Sequence, residues 1–176
     1  EIDPNNLAPT SSTTTQLVMG DALAVCLLQK RGFSQEQFAM YHPGGSLGKR
    51  LYLRVSDVMD MNVRPFVGLN ESIQKTIINI SQNRLGATAV LDGKGNLKGI
   101  ITDGDVRRML EKGHPNEKTV AKEIISKNPK QIDINDMAVN AFNIMQKNMI
   151  TSVVVMKEGR YVGLIHIHDI LREGIV

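Results

Sequence analysis

The chain has 176 residues, enough for a sizeable core in one or two domains; 41% are hydrophobic, 4% aromatic, and the formal charge is +3. So mild a charge with so few aromatics argues against nucleic-acid binding through a basic stripe or a stacking platform. No apolar run reaches the ~20 residues of a membrane span, no signal-peptide pattern opens the chain, and a single cysteine, Cys26, leaves no intrachain disulfide and fits a reducing cytosol.

Residues 1–50 stand apart from the remainder of the chain. Glu1 to Pro9 is polar and turn-rich, and the hydroxyl run Thr10 to Thr15 leads into Leu17–Lys30, which is helical in composition. There Leu17, Val18, Ala22, Val25, Cys26 and Leu28 cover more than one stripe, and a helix apolar on most sides is expected to be buried on most sides. Nothing upstream is present to bury it. The expectation is therefore a C-terminal part of a longer protein, cut inside another domain, with Leu17–Leu28 packed on a neighbouring chain or poorly ordered. Thr10, Ser11, Ser12 and Thr13 admit two readings. Hydroxyls and free N–H groups at a helix N-terminus bind anions such as phosphate; the same residues also serve as a simple cap and loop.

A short helix is predicted over Ser34–Tyr41, followed by His42-Pro43-Gly44-Gly45-Ser46-Leu47-Gly48-Lys49-Arg50. The Gly48-Lys49 pair does not make a P-loop, because Pro43 stands where the first glycine is needed and Arg50 replaces the Mg²⁺-binding hydroxyl. His42 reads either as a turn residue or as an imidazole able to act as acid or base near neutral pH.

Beyond residue 50 the chain is one unit written twice. Ile77 and Phe142, Ile80 and Met145, Leu85 and Ile150, Val90 and Val155 are each 65 residues apart; beyond a turn the spacing drops to 64, pairing Gly99 with Gly163, Ile101 with Ile165, Asp105 with Asp169 and Arg108 with Arg172. The lost residue falls between Asp92–Asn96 and Lys157–Arg160, where glycine and asparagine suit a hairpin and a loop tip tolerates deletion. Each unit predicts a short edge strand near Pro65 or Pro129. A helix opened by Asn70 or Asn135 comes next, with an apolar face of Ile73, Ile77 and Ile80 or of Ala138, Phe142, Met145 and Met149. Strands are then predicted over Ala87–Leu91 and Leu97–Ile101, or Ser152–Met156 and Tyr161–Ile165, and a further helix beginning near Thr102 or His166. Two such pseudo-symmetric units are expected to enclose one shared cleft.

Four stretches carry a resemblance: Asn6 to Thr15 (N-L-A-P-T-S-S-T-T-T), Gly20 to Ala24 (G-D-A-L-A), His42 to Gly48 (H-P-G-G-S-L-G) and Arg54 to Met59 (R-V-S-D-V-M). Together with Arg31-Gly32-Phe33 they make the chain similar to the D-arabinose 5-phosphate isomerases, which join a sugar isomerase (SIS) domain to a tandem pair of CBS modules and act in Kdo synthesis for lipopolysaccharide or capsule. The resemblance implies an α/β (α+β) fold: a SIS remnant over 1–50, a first CBS domain over 51–115 and a second over 116–176. It also implies that His42 is catalytic, that Thr10, Ser11, Ser12 and Thr13 lie in a loop near the sugar phosphate, and that the other catalytic parts lie upstream, so that this chain alone is not expected to turn over substrate. In CBS modules the pattern G-h-h-T-x-x-D binds nucleotides, its Asp on ribose hydroxyls and its Thr beside phosphate. Gly99, Thr102 and Asp105 match it fully, whereas the second unit keeps Gly163 and Asp169 but has His166 for Thr. The four residues Thr102, Asp105, His166 and Asp169 are thus the expected effector cleft, for a nucleotide or CMP-Kdo, and binding there is expected to be asymmetric. Helix capping is the competing role for both aspartates. His166 and His168 have no thiolate to join them, so no metal site is assigned and no cofactor is expected. A homo-oligomer, dimer or tetramer, is implied as well. Two alternatives stand beside this reading: a nucleotide-sensing CBS module of a different SIS or regulatory protein, and a purely structural pair.

Overall fold

The hydroxyl run near the N-terminus is helix rather than lead-in. Helix α1 spans Ser11–Lys30, starting well before Leu17, because Thr14 donates to the Thr10 carbonyl at 3.0 Å and Thr15 to the Ser11 carbonyl at 2.8 Å. Such back-bonding satisfies each hydroxyl within the helix itself. None of its residues is buried, and Leu17, Val18, Leu23 and Val25 are each at least 60% exposed. Helix α2 (Gln35–Tyr41) is opened by Ser34 in a capping box with Gln37, the two exchanging bonds of 3.3 and 3.0 Å. Residues 1–42 form one compact unit and residues 43–176 a second. The computed structural model describes residues 1–42, 44–113 and 119–175; the expected boundary between 115 and 116 lies outside them. Among the described residues no helix is long and apolar enough to cross a membrane.

In the second unit, α3 (Ser46–Tyr52) and the single turn α4 (Val55–Val58) lead into β1 (Phe66–Gly68), α5 (Ile73–Asn83), β2 (Ala87–Leu91), β3 (Leu97–Thr102) and α6 (Asp103–Glu111). Another single turn, α7 (Ala121–Ile124), leads into β4 (Gln131–Asp133), α8 (Ala138–Asn148), β5 (Ser152–Lys157), β6 (Arg160–His166) and α9 (Ile167–Arg172). The predicted order of strand, helix, strand, strand, helix therefore occurs twice, as a mixed α/β pair. In each sheet the middle strand runs parallel to the short edge strand and antiparallel to its hairpin partner. The second hairpin turns on Glu158 and Gly159 at φ 50 and 74, the left-handed pair that a two-residue turn requires.

Both middle strands are apolar on both faces because both faces are covered. Ala87, Ala89 and Leu91 of β2 meet Val154 of β5 and Tyr161 and Leu164 of β6 between the sheets. The alternate residue Val90 turns to the helices with Ile80 and Ile101, as Val153 and Val155 do with Met145 and Ile165. The period of two is intact inside each buried strand. Burying side chains of this size stabilises by about 1.5–3 kcal/mol each relative to exposure.

Two details differ from the sequence reading. The caps are Ser72, whose hydroxyl accepts from the Lys75 N–H at 3.3 Å, and Met137, which offers no side-chain cap. Asn70 and Asn135 sit earlier, in the turns that leave the edge strands; Asn135 donates its N–H to Asp133 at 2.8 Å. The buried helix faces are Ile73, Thr76 and Ile80, and Ala138, Ala141 and Met145. Ile77 is 38% exposed and Met149 94%, the latter because α8 has ended in a left-handed residue there, φ 52.

The lead-in segments are exchanged between the repeats. Val55 and Ser56 donate to the Asp136 and Ile134 carbonyls of the second repeat, while Ala121 and Lys122 donate to the Glu71 and Leu69 carbonyls of the first. Val55 and Met59 accordingly lie in the second core, and Ala121 in the first.

Candidate functional site

His42 is the C-cap of α2. Its N–H bonds the Phe38 carbonyl at 3.1 Å and its ring lies 4.8 Å from that of Phe38, exposed to solvent. Pro43 of the same motif lies outside the described residues. Thr10 is the N-cap of α1, and Ser11, Ser12 and Thr13 form its first turn rather than a free loop. An oxyanion already occupies this end. Glu1 Oε2 accepts the Thr10 N–H at 2.7 Å, the Thr10 hydroxyl at 3.1 Å and the Ser12 N–H at 3.2 Å. The Ser12 hydroxyl, followed by those N–H groups, lowers the Glu1 carboxyl to about 2. Sequence reading placed the other catalytic parts upstream and passed over Glu1, since nothing in the pattern brings residue 1 back to residue 12.

The four CBS residues are not brought into one cleft. Thr102 and Asp105 line a cavity of about 510 Å³ with Ser126, Lys127, Lys130 and Met149. His166 and Asp169 line a separate one of about 470 Å³ with Asp60, Arg84, His168 and Arg172. Each lies where residues of both repeats meet, so the shared cleft expected from the repeat is a pair of clefts with no lining residue in common.

Within each cleft the aspartate is tied to the start of a helix. Asp105 Oδ2 accepts the Thr102 N–H at 2.8 Å and its hydroxyl at 2.7 Å, while that hydroxyl accepts the Asp105 N–H at 3.2 Å. Oδ1 accepts Arg108 Nη2 at 2.6 Å and the Ser126 hydroxyl at 2.8 Å. Burial opposes the charge, but the bonds from Thr102, Ser126 and Arg108 together outweigh it and hold the carboxyl below the usual carboxylate range. In the other cleft Asp169 accepts the His166 N–H at 3.0 Å and Arg172 Nη2 at 2.7 Å. His166 Nδ1 accepts the His168 N–H at 3.2 Å, so the imidazole caps as the Thr102 hydroxyl does and is neutral at that nitrogen. Burial, then the charge of His168, holds His166 below its ordinary range, against an opposing pull from Asp169. The capping role that competes for both aspartates is thus realised in full. The rings of His166 and His168 lie 5.0 Å apart, and among the described residues no group of three or more potential ligands is placed to hold a metal. Ser126, Arg84 and Arg172 are the cleft residues that sequence reading missed.

Over its whole length the chain is 42% identical, across 177 residues, to the arabinose 5-phosphate isomerase KdsD of Yersinia pestis, of which it covers 54%. To the same enzyme of Pseudomonas aeruginosa it is 44% identical across 178 residues, covering 55%. The chain spans about half the length of the curated relatives it matches. Among solved structures, a CBS domain protein from Pyrobaculum aerophilum complexed with AMP matches with a TM-score of 0.61 at 19% identity, over 66% of this chain and 89% of that one; at that identity the likeness is one of fold. The CBS domain pattern itself matches residues 55–112 and 121–175, which contain the two repeats and the aspartates of both clefts, and the chain belongs to the CBS domain family.

Proposed function

We propose that this chain is the C-terminal region of an arabinose-5-phosphate isomerase, with a CBS pair that binds an effector and assists oligomerisation. One observation carries the reading: the similarity to KdsD runs through the whole chain, N-terminal helices included, and not through the CBS repeats alone. The reaction needs a base to take the C1 proton of ribulose 5-phosphate and an acid to return a proton at C2 of the enediol, which gives arabinose 5-phosphate. His42 supplies one acid/base group in this reading, and the Thr10–Thr13 segment lies at the substrate. A cytoplasmic homo-oligomer, dimer or tetramer, belongs to the same proposal, with the exposed apolar faces of α1 covered by the rest of the enzyme.

In the full-length enzyme, His42→Ala is expected to lower kcat by about 10²–10⁴-fold with the circular dichroism unchanged; undiminished turnover removes His42 from the chemistry. The effector is a nucleotide or nucleotide sugar such as CMP-Kdo. Support comes from the basic side chains among the cleft linings, Arg84 and Arg172 in one and Arg108, Lys127 and Lys130 in the other, and from a protein of this fold having been solved with AMP. Calorimetry with CMP-Kdo, CMP, AMP and ATP tests it. Flat titrations with all four leave the pair a structural role, which the complete capping boxes favour on their own account. A full-length sequence with some other upstream domain makes the pair a sensor for a different protein.

A further inference from the structure

A third cavity, of about 480 Å³, lies away from both aspartate clefts. It is lined by Arg64, by Lys94 and Asn96 of the first hairpin, and by Gly159, Arg160 and Tyr161 of the second. The clefts sit at the other ends of the same strands, where Thr102 closes β3 and His166 closes β6. Those strands have 6 and 7 residues, which at about 3.3 Å each holds the two ends roughly 15–20 Å apart. The cavity shares no lining residue with either cleft.

Its lining carries three cations, Arg64, Lys94 and Arg160, and among the described residues none of them is paired with a carboxylate. Asp92, the acid of the first turn, is already engaged. It accepts the Lys94 and Asn96 N–H groups at 2.9 Å each and Asn96 Nδ2 at 3.0 Å, and it pairs with Lys98 at 3.1 Å. Glu158, the acid of the second turn, does not line the cavity. Arg64 is held in place: its Nη2 donates to the Tyr161 carbonyl, and its guanidinium lies 5.3 Å from the Tyr161 ring centre and 6.0 Å from that of Phe66. The Tyr161 ring is pinned in turn by its hydroxyl, which donates to the Pro65 carbonyl at 2.7 Å. A guanidinium has five N–H donors, and this contact uses one. The arrangement is not repeated. By strand register the counterpart of Tyr161 is Leu97 and that of Arg64 is Pro129, so the matching place offers neither the guanidinium nor the ring that holds it.

We propose that this cavity binds a small molecule through a pyrophosphoryl group, held by Arg64, Lys94 and Arg160. One phosphate monoester carries about −1.5 to −2 at pH 7, less charge than three cations answer. Arg64 supplies a fixed fork of donors suited to two phosphate oxygens. Lys94 and Arg160 come from different repeats, so the ligand ties hairpin to hairpin and stabilises the folded pair by mass action. The site stands whether or not the aspartate clefts hold an effector.

The test is calorimetry on the full chain with inorganic pyrophosphate and with ADP, at a fixed ionic strength of about 0.15 M. Pyrophosphate binding is expected to weaken about 10-fold or more in Arg64→Gln and in Arg160→Gln. Arg160 is exposed on its turn, so its variant does not depend on tolerance of the lost Arg64 packing. Lys147→Gln removes the same charge from α8 and is expected to change affinity by less than about 2-fold. A matching loss for ADP in the two arginine variants makes a nucleoside diphosphate the occupant; ADP binding untouched by them, beside a loss for pyrophosphate, makes it the free anion. Three results overturn the site: wild-type pyrophosphate affinity in both arginine variants, an equal loss in Lys147→Gln, or no binding of either probe to the wild type. Loss confined to Arg84→Gln also overturns it, by moving the anion to the Asp169 cleft.

Discussion

At the residue that caps the last helix of each repeat, one half of the pair carries a hydroxyl and the other an imidazole. Thr102 does not titrate; His166 does, and it caps through an unprotonated Nδ1. Its folded pKa is lowered by burial and by His168, while Asp169 pulls the other way; Asp60, Arg84 and Arg172 line the same cleft. The unfolded chain, with histidine near 6.5, therefore takes up the proton more readily than the folded one. This contribution to stability is complete above pH ~6.5 and is lost as the pH falls from there through the folded value. His166→Thr keeps a cap and removes the titration. Urea midpoints at pH 7.5 and 5.5 should fall more for the wild type than for this variant, and equal falls would refute the argument. The chemistry at this position was legible in the sequence, because Gly99, Thr102 and Asp105 align with Gly163, His166 and Asp169. The saturation of Asp105 was not, since the hydroxyl that completes it comes from Ser126, 21 residues along the chain.

Elements were read well where one periodicity dominated. The middle strand β2 was placed to the residue, and both hairpins fell where the repeat spacing breaks. Helix ends were read less well: the pattern names an apolar stripe but not the turn at which a left-handed residue stops it, and so Met149 was counted into a helix that ends before it. The glycines that let each lead-in segment cross its hairpin give a graded prediction. A methyl on Gly99 meets the backbone oxygen of Ser126 at 2.5 Å and the Ile125 side chain at 2.6 Å, whereas on Gly163 it meets the flexible end of Met59 at 2.6 Å and backbone at 3.4 Å. Gly99→Ala should cost about 1–3 kcal/mol through forced backbone movement, and Gly163→Ala less. Chemical denaturation of the two variants reads the order directly, and a larger loss at Gly163 would contradict the geometry.

Across the whole molecule the exchange of lead-ins makes each repeat depend on the other. No periodicity reports this, because a segment's pattern says that it has an apolar face without saying which core receives it. Sequence boundaries drawn between repeats consequently cut through both cores. The first repeat borrows Ala121, Ile124 and Ile125, and between the sheets it rests on Val154, Tyr161 and Leu164; the second borrows Val55 and Met59. Tyr161 fixes the join further by donating its hydroxyl to the Pro65 carbonyl at 2.7 Å, with Arg64 over its ring. At about 1.5–3 kcal/mol for each large side chain, these borrowed contacts are comparable with the ~5–15 kcal/mol that separates a folded domain from its unfolded chain. A chain ended at Gly113 keeps every strand and helix of the first repeat and loses these borrowed partners from the second. It should show no cooperative urea transition, while residues 43–176 within the intact protein melt as a single unit. A cooperative transition in the shortened chain, or two separate calorimetric transitions within the pair, would show that each repeat has a core sufficient to itself.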